Sequence, residues 1–147
     1  MIFKSLFAKP APVDTGRSTH DLQVAVAVLL SEAAAMDDDF GDQERTKIQQ
    51  LIQERFALTA DEATELQALA EATREDSVEL FTHAKVVKDA FSHEERIQMM
   101  EMLWDVILAD GIVHDYEANL ARRLAGLLYV SDQESGAARK KVQEKRA

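Results

Sequence analysis

Along most of this chain the apolar positions recur at helical spacing. From Thr19 or His20 to about Met36, the residues Leu22, Ala25, Val26, Leu29, Leu30 and Ala33 fall on one face of a 3.6-residue period. Val24-Ala-Val-Ala-Val28 has local strand character, but no partner strand follows anywhere, so helix is the consistent reading. An almost wholly apolar circumference from Val24 to Leu30 predicts a central position for this helix. A second helix runs to about Arg55 with Ile48, Leu51, Ile52 and Phe56 inward. Thr59-Ala-Asp-Glu62 is a capping box, opening a third helix that presents Ala63, Leu66, Leu69 and Ala70. Asp76-Ser-Val-Glu79 opens a fourth, whose buried side is Leu80, Phe81, Ala84, Val87 and Phe91. Ser92-His-Glu-Glu95 caps a fifth with a stripe of Ile97, Met100, Trp104, Ile107 and Leu108. A sixth, from about Asp115 to Leu128, buries Leu120, Leu124, Leu127 and Leu128; the last starts at Ser131 and has little apolar surface. The pattern predicts an all-α fold, a single compact bundle of about seven helices.

Ahead of the bundle, Ile2, Phe3, Leu6 and Phe7 alternate with Lys4 and Lys9 in the i, i+4 manner of a short amphipathic helix. It is too short to span a membrane, and Lys4 and Ser5 interrupt the apolar run that a signal peptide needs. Pro10 to Gly16 reads as a linker. Residues 1–18 are therefore an arm and linker, and residues 19–147 the helical domain.

The bundle is expected to contain two related halves. A shift of 73 positions, from Glu44 to Glu117, lays Asp110 and Asp115 on Asp37 and Asp42. It also pairs Asp105 with Glu32, Leu103 with Leu30, Leu124 with Leu51 and Tyr129 with Phe56. With one further deletion Ser131-Asp-Gln-Glu134 falls on Thr59-Ala-Asp-Glu62. Two helix, acidic loop, helix repeats related by a pseudo-twofold axis are the expectation.

Abundant Ala, Leu, Glu and Gln, with only five Gly and two Pro, favours helix. There is no cysteine, so a metal would be held by oxygen or histidine. The formal charge of −10 argues against binding nucleic-acid phosphates and suits cations or basic partners. Near the C-terminus, Arg139-Lys-Lys-Val-Gln-Glu-Lys-Arg146 concentrates positive charge where a helix dipole favours it.

The informative acids are Asp37 and Asp110, which stand at helix C-termini where the dipole already presents negative charge. Asp42, Glu44, Asp115 and Glu117 fall at helix starts, where carboxylates cap free N–H groups. A cation beside Asp37 and Asp110 removes the conflict, and a turn returns Glu44 and Glu117 towards it. Oxygen donors point to calcium, magnesium or manganese, and to zinc if His114 joins. Seven positions separate Asp110 from Glu117, so neither loop is an EF-hand. The metal-site residues expected are Asp37, Glu44, Asp110 and Glu117, with no organic cofactor. No phosphate loop, nucleophile elbow or HExxH motif occurs.

Asp110-Gly-x-x-x-x-x-Glu117, its degenerate first copy Asp37 to Glu44, and Phe91-Ser-x-Glu-Glu-Arg96 leading into Leu103-Trp104 together resemble the TerB-like family, named for a tellurite-resistance protein. The resemblance covers most of the chain, roughly His20 to the helix after Ser131. It implies an all-helical bundle, a divalent-cation site made of these acids and a stress-response setting. Asp38 stands where the second copy has Gly111, a departure from equivalence of the two loops. The expected function is a non-catalytic, cytoplasmic stress-response module binding a divalent cation and a protein partner. One alternative is a peripheral inner-membrane adaptor using Met1 to Lys9 and the basic tail. The other is a metal-dependent hydrolase.

Overall fold

The computed structural model describes residues 19–35, 41–76, 80–110 and 115–146, with structural statements made of these. They form seven α-helices: α1 (Thr19–Ala35), α2 (Asp42–Phe56), α3 (Ala60–Asp76), α4 (Leu80–Ala90), α5 (His93–Ile107), α6 (Asp115–Leu127) and α7 (Asp132–Arg146). A single 3-10 turn, Leu108–Asp110, ends α5. Among the described residues there is no strand, and no helix is long and apolar enough to cross a membrane. The arm, the linker and Asp37 lie outside the described residues, as do Ser77 to Glu79 of the expected fourth-helix start.

Two helices occupy the centre. α1 packs against α2, α3, α4, α5 and α6, which its unbroken burial from Ala25 to Ser31 requires. α5 is the second centre, lying against α1, α2, α6 and α7. The sequence suggested one stripe for α5, yet every residue from Met102 to Leu108 is buried, Asp105 included. Two apolar positions point the other way. Phe81 is 64% exposed, because Leu80, Ala84 and Val87 take the buried face and Phe81 stands about 100° around from Leu80. Leu69 is 43% exposed, because Gln67 completes the buried row of Ala63, Leu66 and Ala70. Gln67 reaches Glu71 Oε2 at 2.7 Å and Ser31 Oγ at 3.4 Å, so a polar pair fills the α1–α3 contact.

The helix starts follow their capping sequences. Thr59, Ser92 and Ser131 accept from the N–H of Glu62, Glu95 and Glu134, and each glutamate accepts in return from the N–H of its capping residue. The ends of α2 and α6 are also alike. Ala57 and Tyr129 both have left-handed backbone, with φ of 55° and 59°. The next residue then bonds back across the turn, Leu58 N–H to Gln53 O at 3.0 Å and Val130 N–H to Ala125 O at 2.8 Å. A left-handed backbone costs a residue with a Cβ about 1–2 kcal/mol, part of which glycine escapes. Ala57 is exposed, so Ala57→Gly is expected to raise stability by about 0.5–1 kcal/mol, read as a higher urea midpoint.

Candidate functional site

The acids are placed by two helix starts and one helix end. Gly41 enters α2 with extended backbone and has no side-chain oxygen to cap it. Glu44, in the third helical position, reaches back so that Oε1 accepts from the Gly41 N–H at 3.0 Å. Its residue is only 8% exposed. Glu117 holds the same third position in α6 and is 3% exposed. Asp42 and Asp115, two residues earlier in each helix, are exposed. Asp110 closes the 3-10 turn that follows α5, and this turn packs on α2.

The structure thus brings the end of the first acidic loop and the start of the second onto elements that touch. Lys47, early in α2, stands 3.9 Å from Asp105 near the end of α5, which fixes the α2 start alongside that helix end. Asp37, Gly111 and His114 lie outside the described residues, as does the side chain of Asp110. Among the described residues no three His, Asp or Glu side chains gather as a metal site. Of the four expected ligands, Glu44 and Glu117 are the two the structure places.

A second charged assembly surrounds Asp105, whose five-residue offset from Asp110 points to a separate contact but not to its partners. Asp105 is 4% exposed. Its Oδ1 lies 3.3 Å from Arg146 and its Oδ2 3.7 Å from Lys145, while Arg146 also donates to its backbone oxygen at 2.9 Å. One turn earlier on α5, Glu101 meets Lys141 at 3.4 Å. The basic end of α7 is therefore matched, acid by acid, to α5, and the dipole argument gave only part of its purpose. The signal was present: Glu101 and Asp105 are four apart, as are Lys141 and Lys145. Asp105→Ala should lower stability by roughly 1–2 kcal/mol in denaturant melts, since its partners are partly exposed and regain water.

Beside this assembly a groove of about 320 Å³ opens between α2 and α5, lined by Leu51, Glu54, Gln98, Glu101, Met102 and Asp105, with Lys145 of α7 at its edge. Arg55 at its margin is half-buried, and burial pulls its guanidinium pKa down against the upward pull of Glu95. It donates to Gln98 Oε1, lies 3.6 Å from Glu95 and covers the Phe91 ring at 5.2 Å. On α2, Arg45 grips Glu71 with two bonds of 3.0 Å, and the hydrogen bond raises its pKa. At the start of α7 the Glu134 carboxyl sits below its usual range, held by the Ser131 N–H and by His93 at 2.7 Å. That contribution is complete above the ordinary carboxylate range and is lost as pH falls through the lowered value.

Comparison with curated proteins and with solved structures gives no match. Residues 23–140 match the family model described as Tellurite resistance protein TerB, and with that share of an all-helical chain matched, this protein belongs to the TerB family.

Proposed function

We propose that the chain is a non-catalytic binding module in which Asp37, Glu44, Asp110 and Glu117 hold one divalent cation and the loaded form engages a protein partner. The observation that carries this is the burial of Glu44 and Glu117, 8% and 3% exposed, at matched positions beside the two acidic loops. A buried carboxylate is costly unless a positive charge or hydrogen bonds compensate it. Glu44 spends one oxygen on Gly41. A cation shared with the loop aspartates adds a full positive charge to such partners and offsets the adverse dipole at Asp110. With oxygen donors alone, calcium, magnesium and manganese fit best. The setting we propose is a cytoplasmic stress response, on the family's description as a tellurite-resistance protein.

Isothermal titration with each of the three cations tests the site. Saturable binding at one equivalent is expected. Glu117→Gln should weaken it by at least tenfold, the scale on which ligand-sphere changes act. Absence of saturable heat from all three cations would remove the cation from the proposal.

A further inference from the structure

We propose that the groove between α2 and α5 is the seat of this chain's own N-terminal segment, Met1 to Lys9. The inference is independent of the cation site and rests on the two-half reading of the chain. Its starting point is the seat of α4. That helix immediately precedes α5 and packs on α1 and α6, burying Leu80, Ala84 and Val87.

Moving the groove by 73 positions lands on the elements that α4 covers. Gln98, Glu101 and Met102 of α5 fall on Ala25, Val28 and Leu29 of α1, and Leu51, Glu54 and Arg55 of α2 fall on Leu124, Leu127 and Leu128 of α6. In the first setting α4 packs on both helices; in the second, among the described residues, a groove of about 320 Å³ is open between them. The segment that precedes α1, as α4 precedes α5, is the N-terminal arm with its apolar Ile2, Phe3, Leu6 and Phe7.

The lining fits that occupant chemically. Leu51 and Met102 supply an apolar floor, and Glu54 adds acid beside it, while Glu101 and Asp105 are already matched by Lys141, Lys145 and Arg146. The arm brings Lys4 and Lys9. Reach is sufficient, since the nine residues Pro10 to Ser18 extend to about 30 Å, against a radius of gyration of about 15 Å for a domain of this length. The six positions reached by the shift are all apolar, whereas the groove carries Glu54, Arg55, Gln98 and Glu101. Permanent contacts are the more apolar, and contacts that open and close keep polar lining. The arm's seat is accordingly reversible: docked, it hides the apolar stripe, and released, it presents that stripe to other surfaces.

A spin label on Ser5→Cys tests this in the full chain, which has no cysteine of its own. Loss of the amide signals of Leu51, Gln98 and Met102 is expected, with recovery when the label is reduced. Leu6→Asp, or Lys4→Glu with Lys9→Glu, should restore those signals in the labelled protein. These substitutions lie ahead of the helical domain, so its fold is unaffected. Signal loss around His20 and Leu69, where a second groove of about 240 Å³ opens, would overturn the assignment, as would diffuse loss or none. Loss seen only when labelled chain is mixed with separate isotope-enriched chain would make the occupant a second copy and also overturn it.

Discussion

Replacing Trp104 by Ala should cost about 3–5 kcal/mol, a large part of the 5–15 kcal/mol that holds a domain of this kind. Trp104 is 5% exposed and sits where α5 meets α7. Its Nε1 donates to Ser135 Oγ at 3.2 Å, and Arg139 covers its ring at 5.0 Å. Truncation removes the largest side chain of that contact, leaves a cavity and takes away the partner of the buried Ser135. The loss falls on a weakly apolar helix, because α7 otherwise buries only Ser135, Ala138 and Val142. Urea melts followed by circular dichroism read the effect, since the only tryptophan is gone from the variant. Trp104→Phe keeps most of the area but not the hydrogen bond, and should cost about half as much. In the unaltered protein iodide should quench Trp104 fluorescence weakly. A cost below about 1 kcal/mol for Trp104→Ala would show that α7 does not depend on this contact.

Much of the fold was legible because it rests on local rules. The central place of α1 follows from the apolar circumference between Val24 and Leu30, and three helix starts follow from Thr59, Ser92 and Ser131 with their partner glutamates. Glu44 caps α2 as an acid in a first turn should. What the sequence hid depends on tertiary pairing. A stripe on α5 is all that periodicity can show for a helix whose remaining sides are covered by α1, α2 and α7. Asp105 precedes Asp110 by five residues, about 140° around a helix, which points to a separate contact, and only the return of α7 shows its partners to be Lys145 and Arg146. Phe81 failed in the opposite sense: hydrophobicity gives no information about which side of a first turn faces the core, and Leu80 took that side. Leu69 lost its place to Gln67 because Ser31 and Glu71 supply that amide with polar company, which no apolar count reveals.

At the candidate site the sequence read the positions of Glu44 and Glu117 but not their burial. Acids at helix starts are normally solvated, as Asp42 and Asp115 are. The third helical position lets Glu44 reach back to the Gly41 N–H, but Glu62 in the same position of α3 is exposed, so the burial of Glu44 and Glu117 comes from the elements packed around them. The contact between α2 and the 3-10 turn at Asp110 likewise depends on how α2 meets the end of α5, and no local rule supplies it.

A divalent cation at about 100 times its dissociation constant should stabilise the fold by roughly 2.7 kcal/mol. For a chain of this size that is a rise in melting temperature of about 5–10 °C. In chelator, Glu44 and Glu117 are held buried beside loops that carry further carboxylates, so mutual repulsion opposes folding. A cation held as proposed would remove that repulsion and bind only the folded arrangement, so its effect is expected to appear as stability. Asp110→Asn separates the two contributions. It should abolish most of the gain from calcium, magnesium or manganese, because one oxygen donor of full charge is gone. In chelator the same variant should be as stable as the unaltered protein or more so, since a negative charge at a helix C-terminus is removed. Glu44→Gln makes the opposite case: its amide oxygen still accepts from Gly41, so the α2 cap is retained and the cation gain alone is reduced. Identical melting of the unaltered protein in chelator and in millimolar cation would show that Glu44 and Glu117 act only as helix caps.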